Sequence, residues 1–240
     1  MKTFKEFNNI NESKINEDSN GLKGVKEYRD GLTPETVMKE FPWLLKAKFK
    51  DAVIEEDKSF GLVWIEGTWI DGTWESGIWK DGVWKSGTWY KGTWYEGTWI
   101  DGTWEKGTWI AGEWKSGIWE DGVWEDGVWN NGVWKSGTWY DGTWYDGTWE
   151  DGYWIWGSLK NGTWKNGTWE NGDFNNGTWE NGIWKRGDWY KSTWKDGVWE
   201  DGNWLSGKWF GGKWKKGKWH FGYNGTGGEE IKTYNDPNNI

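Results

Sequence analysis

The sequence predicts an all-β chain coiled into a β-solenoid of square turns, about twenty residues each, with tryptophan filling the interior. Three observations lead there. From position 64 to 219 every fifth residue is Trp, except Leu159 and Phe174. Two positions before each of these stands Gly, except Leu62 and Ser192. The residue between is mostly β-branched and the two after Trp are mostly polar, as in DGTWESGIW from Asp71 to Trp79.

A glycine in every five residues excludes a long helix, since each costs about 1 kcal/mol relative to Ala. A flat strand is excluded as well. Its side chains alternate with period two, so a period of five would send successive indoles to opposite faces. The chain must therefore turn once per unit, and the Asp-Gly, Asn-Gly and Ser-Gly pairs mark the corners, because Gly accepts positive φ. An extended piece and a corner, repeated four times, close a square coil that hydrogen-bonds to the next. Gly and Trp then share the inward side, with Gly making room for the indole, and the β-branched and polar residues point out.

The indoles of Trp69, Trp74, Trp79 and Trp84, with Leu159 and Phe174 in the same series, are accordingly the core. Turned outward, they would leave glycine as almost the only filler of the interior and expose a very large apolar surface. Second polar positions twenty apart are Asp81, Asp101, Asp121, Asp141, Asn161, Asn181 and Asp201, which the square coil would stack in one column. Near-copies of one segment begin at Lys85 and at Lys135, so the chain has grown by duplication in single five-residue units.

The unit resembles the pentapeptide-repeat family, whose pattern is Ala, Asp/Asn, Leu/Phe and two variable residues. Here Gly holds the Ala place and Trp the Leu/Phe place, while Ala47-Lys48-Phe49-Lys50-Asp51 and Ala52-Val53-Ile54-Glu55-Glu56 keep the ordinary pattern in the same register. The resemblance implies a right-handed quadrilateral β-solenoid of eight coils, roughly 40 Å long at parallel-strand spacing. It brings no functional residues with it. The departure that matters is Trp, whose buried N–H needs a partner.

The chain divides into a leader over 1–32, a capping helix over 33–46, the solenoid over 47–222 and a polar tail over 223–240. Thr33-Pro34-Glu35 starts the helix with an N-cap and a first-turn proline, and Pro42 ends it. Asp57 to Gly61 fits the repeat poorly and marks a bulge or loop. After His220 the repeat dissolves.

Composition narrows the function classes. The 240 residues include 32 Trp, 39 Gly and no Cys, and the net charge is −9. Absence of Cys excludes disulfides, thiolate metal sites and a cysteine nucleophile. His220 is the only histidine, which excludes histidine triads and multi-histidine metal centres. No phosphate loop or dinucleotide fingerprint is present. The carboxylates recur at repeat positions, as solvent-facing decoration, and no enzyme activity, metal or cofactor is expected. Neither a membrane span nor a secretory signal is read. The acidic balance disfavours direct nucleic-acid binding, although Lys208, Lys213, Lys215, Lys216 and Lys218 make the last repeats basic.

Two local features carry functional expectations. In YWIWGSLKNG, Trp156 occupies an outward position beside Tyr153, a candidate exposed aromatic contact. At the other extreme, MKTFKEFNNINE resembles the capsid-targeting leader of internal head proteins of T-even-type tailed phages, which is cut after Leu/Ile-x-Glu. Ile10-Asn11-Glu12 and Ile15-Asn16-Glu17 fit that preference, so Glu12 and Glu17 are candidate cleavage points. The expectation is a non-catalytic rod, associated with a phage particle or found in the host cytoplasm during assembly, with phage structural proteins as partners. The alternatives are an acidic DNA mimic acting on a topoisomerase, as some pentapeptide-repeat proteins do, and an aromatic module binding carbohydrate or a cell surface. The sequence leaves the oligomeric state open.

Overall fold

A computed structural model describes residues 22–220 and the backbone of 223–224. Glu12, Glu17 and nearly all of the 223–240 tail lie outside the described residues. The chain is an all-β parallel solenoid with one short α-helix at its start. Most of the two- and three-residue strands carry one β-branched or polar residue and one Trp, with Leu159 and Phe174 the exceptions at the core position through Trp219. Each pairs in parallel with the strand fifteen residues on: Trp64 with Trp79, Trp69 with Trp84, Trp74 with Trp89.

The coil therefore has three sides and fifteen residues, not four sides and twenty. The reason lies in the glycines. A triangular coil turns more sharply at each corner than a square one, and here Gly67 through Gly172 all hold φ between 113° and 138°, a region closed to side chains with a Cβ. The Ala of the ordinary pentapeptide unit cannot take that corner. The twenty-residue Asp/Asn column dissolves with the square, its members passing in rotation to the three corners. The third face, from Thr73–Trp74 onward, is an eleven-stranded sheet, so the rod is about 50 Å long at parallel-strand spacing, rather than roughly 40 Å.

Backbone bonds repeat from coil to coil. The amide of the β-branched residue donates to the glycine carbonyl below, and the amide after Trp donates to the Trp carbonyl below: Thr103 N to Gly87 O at 2.9 Å, Glu105 N to Trp89 O at 2.7 Å. At many corners the residue before Gly closes the turn with its own side chain, as Asp121 Oδ1 accepts the Gly122 amide at 2.8 Å. That is why Asp and Asn recur there.

Inside, the indoles form three columns. Along a column the rings are nearly parallel, Trp104 and Trp119 at 4.8 Å and 6°; around a coil they meet edge to face, Trp104 and Trp109 at 5.9 Å and 73°. Carbon atoms touch at about 3.5 Å, so parallel rings with such centroid spacing are slipped by about 3 Å, the offset arrangement that aromatic quadrupoles favour. Trp69, Trp74, Trp79 and Trp84 are fully buried, as is Phe174, and Leu159 is nearly so. Glycine serves the backbone more than the indole: a Cβ on Gly117 would lie 2.4 Å from the Gly102 carbonyl oxygen and 3.2 Å from the Trp114 ring.

The indole N–H groups find only part of what they need. Trp184 donates to the Asp201 carbonyl at 3.1 Å and Trp194 to the Gly211 carbonyl at 3.0 Å, seventeen residues ahead in each case. The carbonyl before each glycine is the one that the inter-coil ladder passes over. From Trp64 to Trp154 the indole N–H groups are buried without a hydrogen-bond partner, although Trp144 Nε1 lies close to Gly162, one residue past the position equivalent to those acceptors. Each such group lowers stability by about 1–3 kcal/mol, offset by the dispersion contacts of a fully buried indole.

One corner solves the glycine problem differently. Ser192 replaces Gly; the positive φ moves to Lys191 (49°) and, one coil below, to Asn176 (52°). The buried Ser192 hydroxyl accepts the Gly177 amide at 3.2 Å and donates to the Tyr190 carbonyl at 2.8 Å.

The N-terminal end is closed by β1 (Val25–Tyr28), α1 (Pro34–Glu40), a 3-10 turn (Pro42–Lys46), β2 (Lys48–Asp57) and β3 (Gly61–Asp71). Thr33 caps α1 by accepting the Thr36 amide. Residues 47–56, which match the repeat in sequence, do not form coils of the same sense. β2 runs antiparallel to β3, with Ile54 opposite Trp64 and Phe49 opposite Trp69. The reversal is made by a tight loop in which Asp57 Oδ1 accepts the Ser59 and Phe60 amides, with Gly61 at φ 81°. Phe49 stacks on Trp69 at 5.9 Å, and Trp43 meets Trp74 edge-on at 5.1 Å. β2 thus covers the first coil on two faces and the 3-10 turn covers the third, hiding the edge that an open solenoid would present. Among the described residues no helix is long and apolar enough to cross a membrane.

Candidate functional site

With the indoles inside, chemistry is left to the outward positions, and the three-sided coil decides which of these meet. Residues fifteen apart stack. From Trp119 to Trp194 on the third face, the residues after successive Trp are Glu120, Lys135, Glu150, Lys165, Glu180 and Lys195. Lys135 contacts Glu120 at 3.0 Å, Lys165 contacts Glu150 at 3.2 Å and Lys195 contacts Glu180 at 2.9 Å. The first face repeats this with Lys185 on Glu170 at 2.6 Å and Lys215 on Glu200 at 2.7 Å.

The hydrogen bond to Glu120, followed by its charge, raises the Lys135 pKa; the hydrogen bond to Glu170 raises that of Lys185. Asp201 is lowered by its Lys216 partner and then by the Gly202 amide. A raised lysine contributes stability below its unfolded value of about 10.4, lost as pH rises through the folded value; a lowered aspartate contributes above about 3.9, lost as pH falls through the folded value. Stability is expected to be flat between about pH 5 and 9 and to fall on both sides. Thermal melts across pH check this, with Asp201→Asn expected to soften the acid-side fall. An unchanged acid limb would remove Asp201 from the account.

Exposed aromatic residues occur along the rod, and three of them meet in one place. Tyr153 and Trp156 are both exposed, at 57% and 51%, and Tyr140 joins them at 45%. They line a cleft of about 490 Å³ together with Ile155 and four polar residues, Thr138, Glu170, Asn171 and Arg186. A second groove of about 240 Å³ lies against the same Trp156 and carries Asp141, Ser158 and Asp173. Trp156 is thus a ridge at a corner, with a groove on each side.

The fifteen-residue coil assembles this cleft from three adjacent columns: Thr138 and Tyr153; Tyr140, Ile155 and Glu170; and Trp156, Asn171 and Arg186. Tyr153 and Trp156 are legible in the sequence as departures from the unit. Tyr140, Glu170, Asn171 and Arg186 are not, because a twenty-residue coil sends them elsewhere; a search for Glu and Lys at a fifteen-residue spacing would have found the columns.

Glu170 is engaged by Lys185. Asn171 spends its side-chain oxygen on the Gly172 amide at 2.9 Å, which leaves its NH₂ to donate outward. Among the described residues no carboxylate lies within ion-pair distance of Arg186. No cluster of three His, Asp or Glu suited to a metal ion occurs among the described residues.

Trp156→Ala is expected to change stability by no more than about 0.5 kcal/mol, as an exposed position should. It should also remove the red, acrylamide-quenchable component of an otherwise blue-shifted Trp emission. A large loss of stability would place Trp156 in the packing of the rod. Comparison with known proteins finds no matching family model, no matching curated protein and no matching solved structure.

Proposed function

We propose that the chain is a non-catalytic structural rod, a three-sided relative of the pentapeptide-repeat proteins, that serves in the particle of a tailed bacteriophage. The observation carrying the rod is the stacked core, whose third-face column is Trp at every coil from Trp74 to Trp209. Such a body holds its length and presents fixed outward columns to protein partners. The phage assignment rests on the Met1–Glu12 segment and its resemblance to a capsid-targeting leader. Mass spectrometry of purified particles from the native source tests both. The expected result is recovery of this chain with a new start at Ser13 or Asp18. Absence from particles, with intact Met1 chains elsewhere in the cell, would overturn the phage role and leave the rod. The acidic DNA-mimic alternative is weakened by the ladders, where Glu120, Glu150, Glu170, Glu180 and Glu200 each face a lysine; inhibition of gyrase supercoiling by the purified chain would restore it.

A further inference from the structure

Three departures from the repeat meet at one place on the rod, although others occur along its length. Trp156 stands where Asp, Asn or Ser is usual, and Tyr153 where a β-branched residue is usual. Arg186 is the only arginine in the solenoid, Arg29 being the other in the chain. All three line the same cleft. On the neighbouring face, behind Ser158 and Asp173 of the second groove, Leu159 and Phe174 are the two core positions that lack Trp, one above the other. Their convergence on one patch points to use.

From this convergence, which stands whether or not the rod belongs to a phage, we propose that the cleft binds a neutral saccharide chain laid across Trp156. The chemistry favours that ligand in three ways. Exposed indole and phenol rings offer flat apolar faces to the C–H face of a pyranose. The polar groups beside them are of the planar, two-atom kind that addresses neighbouring hydroxyls: the Arg186 guanidinium and Asn171 amide donate, and Glu170 accepts. The ridge position of Trp156, with a groove on either side, suits an extended chain that continues from one face to the next.

Charge selects against the other ligands of aromatic sites. A quaternary ammonium wants an aromatic cage with uncompensated negative charge. Here Lys185 neutralises Glu170 and Arg186 adds a positive charge. A single-stranded nucleic acid would also stack on the rings, but beyond Trp156 its phosphates would meet Asp141 and Asp173. A neutral polyhydroxyl chain meets neither obstacle.

The test uses the full chain, an array of neutral hexose and N-acetylhexosamine oligomers, choline, and a mixed-sequence single-stranded DNA, followed by titration calorimetry. At least one neutral oligosaccharide should bind. Its affinity should fall at least tenfold in Trp156→Ala and several-fold in Arg186→Ala, and stay unchanged in Tyr90→Ala, an exposed aromatic on another face. Near-UV circular dichroism shows that each variant keeps the stacked core. Three results would each overturn the proposal: no oligosaccharide bound at millimolar concentration, binding that survives Trp156→Ala, or Trp156-dependent binding of choline or DNA in place of sugars. Sedimentation adds a fourth, since self-association abolished by Trp156→Ala would make the patch a contact between copies of this chain.

Discussion

Replacing Gly117 with Ala is expected to destabilise the rod by about 3 kcal/mol or more. Two separate costs combine. The residue holds φ 125°, where an L side chain is strained by about 1–3 kcal/mol. The new Cβ would also lie 2.4 Å from the Gly102 carbonyl oxygen, a backbone atom with no rotamer by which to withdraw. Relief would require the coils to separate, breaking the bond from the Ile118 amide to that same carbonyl at 2.9 Å. Gly31 separates the two costs. It has φ 78° but nothing within 4 Å of its would-be Cβ, so Gly31→Ala should cost only the strain, about 1 kcal/mol. Denaturant midpoints of the two variants are the measurement, and equal losses would mean that the coils breathe enough to admit a methyl group.

Trp119→Ala should cost about 4 kcal/mol, at the upper end of large-to-small core changes. Trp119 is fully buried. It is stacked between Trp104 at 4.8 Å and Trp134 at 4.7 Å and held edge-on by Trp114 and Trp124 at 6.0 and 5.9 Å. Two columns of rigid neighbours cannot collapse into the space, because every one of those rings is fixed by a stack of its own. The column does tolerate a smaller filler, as Leu159 between Trp144 and Phe174 demonstrates, so Trp119→Leu should cost about half as much. The same denaturation series decides. If Trp119→Ala and Trp156→Ala lose similar amounts, burial is not what these indoles contribute.

The sequence carried the local rules of this fold in full and the global one only faintly. Period five, with Gly two before Trp, sufficed to put Trp69, Trp74, Trp79, Trp84, Leu159 and Phe174 inside and Trp156 outside, because those assignments need only the alternation of an extended segment. The number of sides is a different kind of quantity. It depends on how sharply each corner turns, and a glycine column can be read either as space for an indole or as a backbone conformation. The second reading is right. Its independent signature was present in the alternation of Glu120, Lys135, Glu150 and Lys165, whose charges make sense only as neighbours. Misjudging the corner also scattered the cleft, since Tyr140, Asn171 and Arg186 join Trp156 only on a three-sided coil. At the N-terminus Phe49, Ala52 and Ile54 hold core places of the repeat pattern and are buried, but Val53 between them is buried as well, and the direction of their strand was not legible. Parallel and antiparallel neighbours bury the same alternate residues, and a single loop decides between them.

Three equivalent sides make the rod a screw with a step of one five-residue unit. Inserting one unit advances everything beyond it by a third of a turn and a third of a coil, and the core accepts the newcomer because all three indole columns are alike. The copies beginning at Lys85 and Lys135 obey this: ten units separate them, three full coils and one step, so the second copy looks out from the next face. Length can therefore change without loss of fold, but not without consequence for direction. Any partner that grips both the cap and the Trp156 ridge would see the ridge swing away when one unit is gained or lost, and return only when three are.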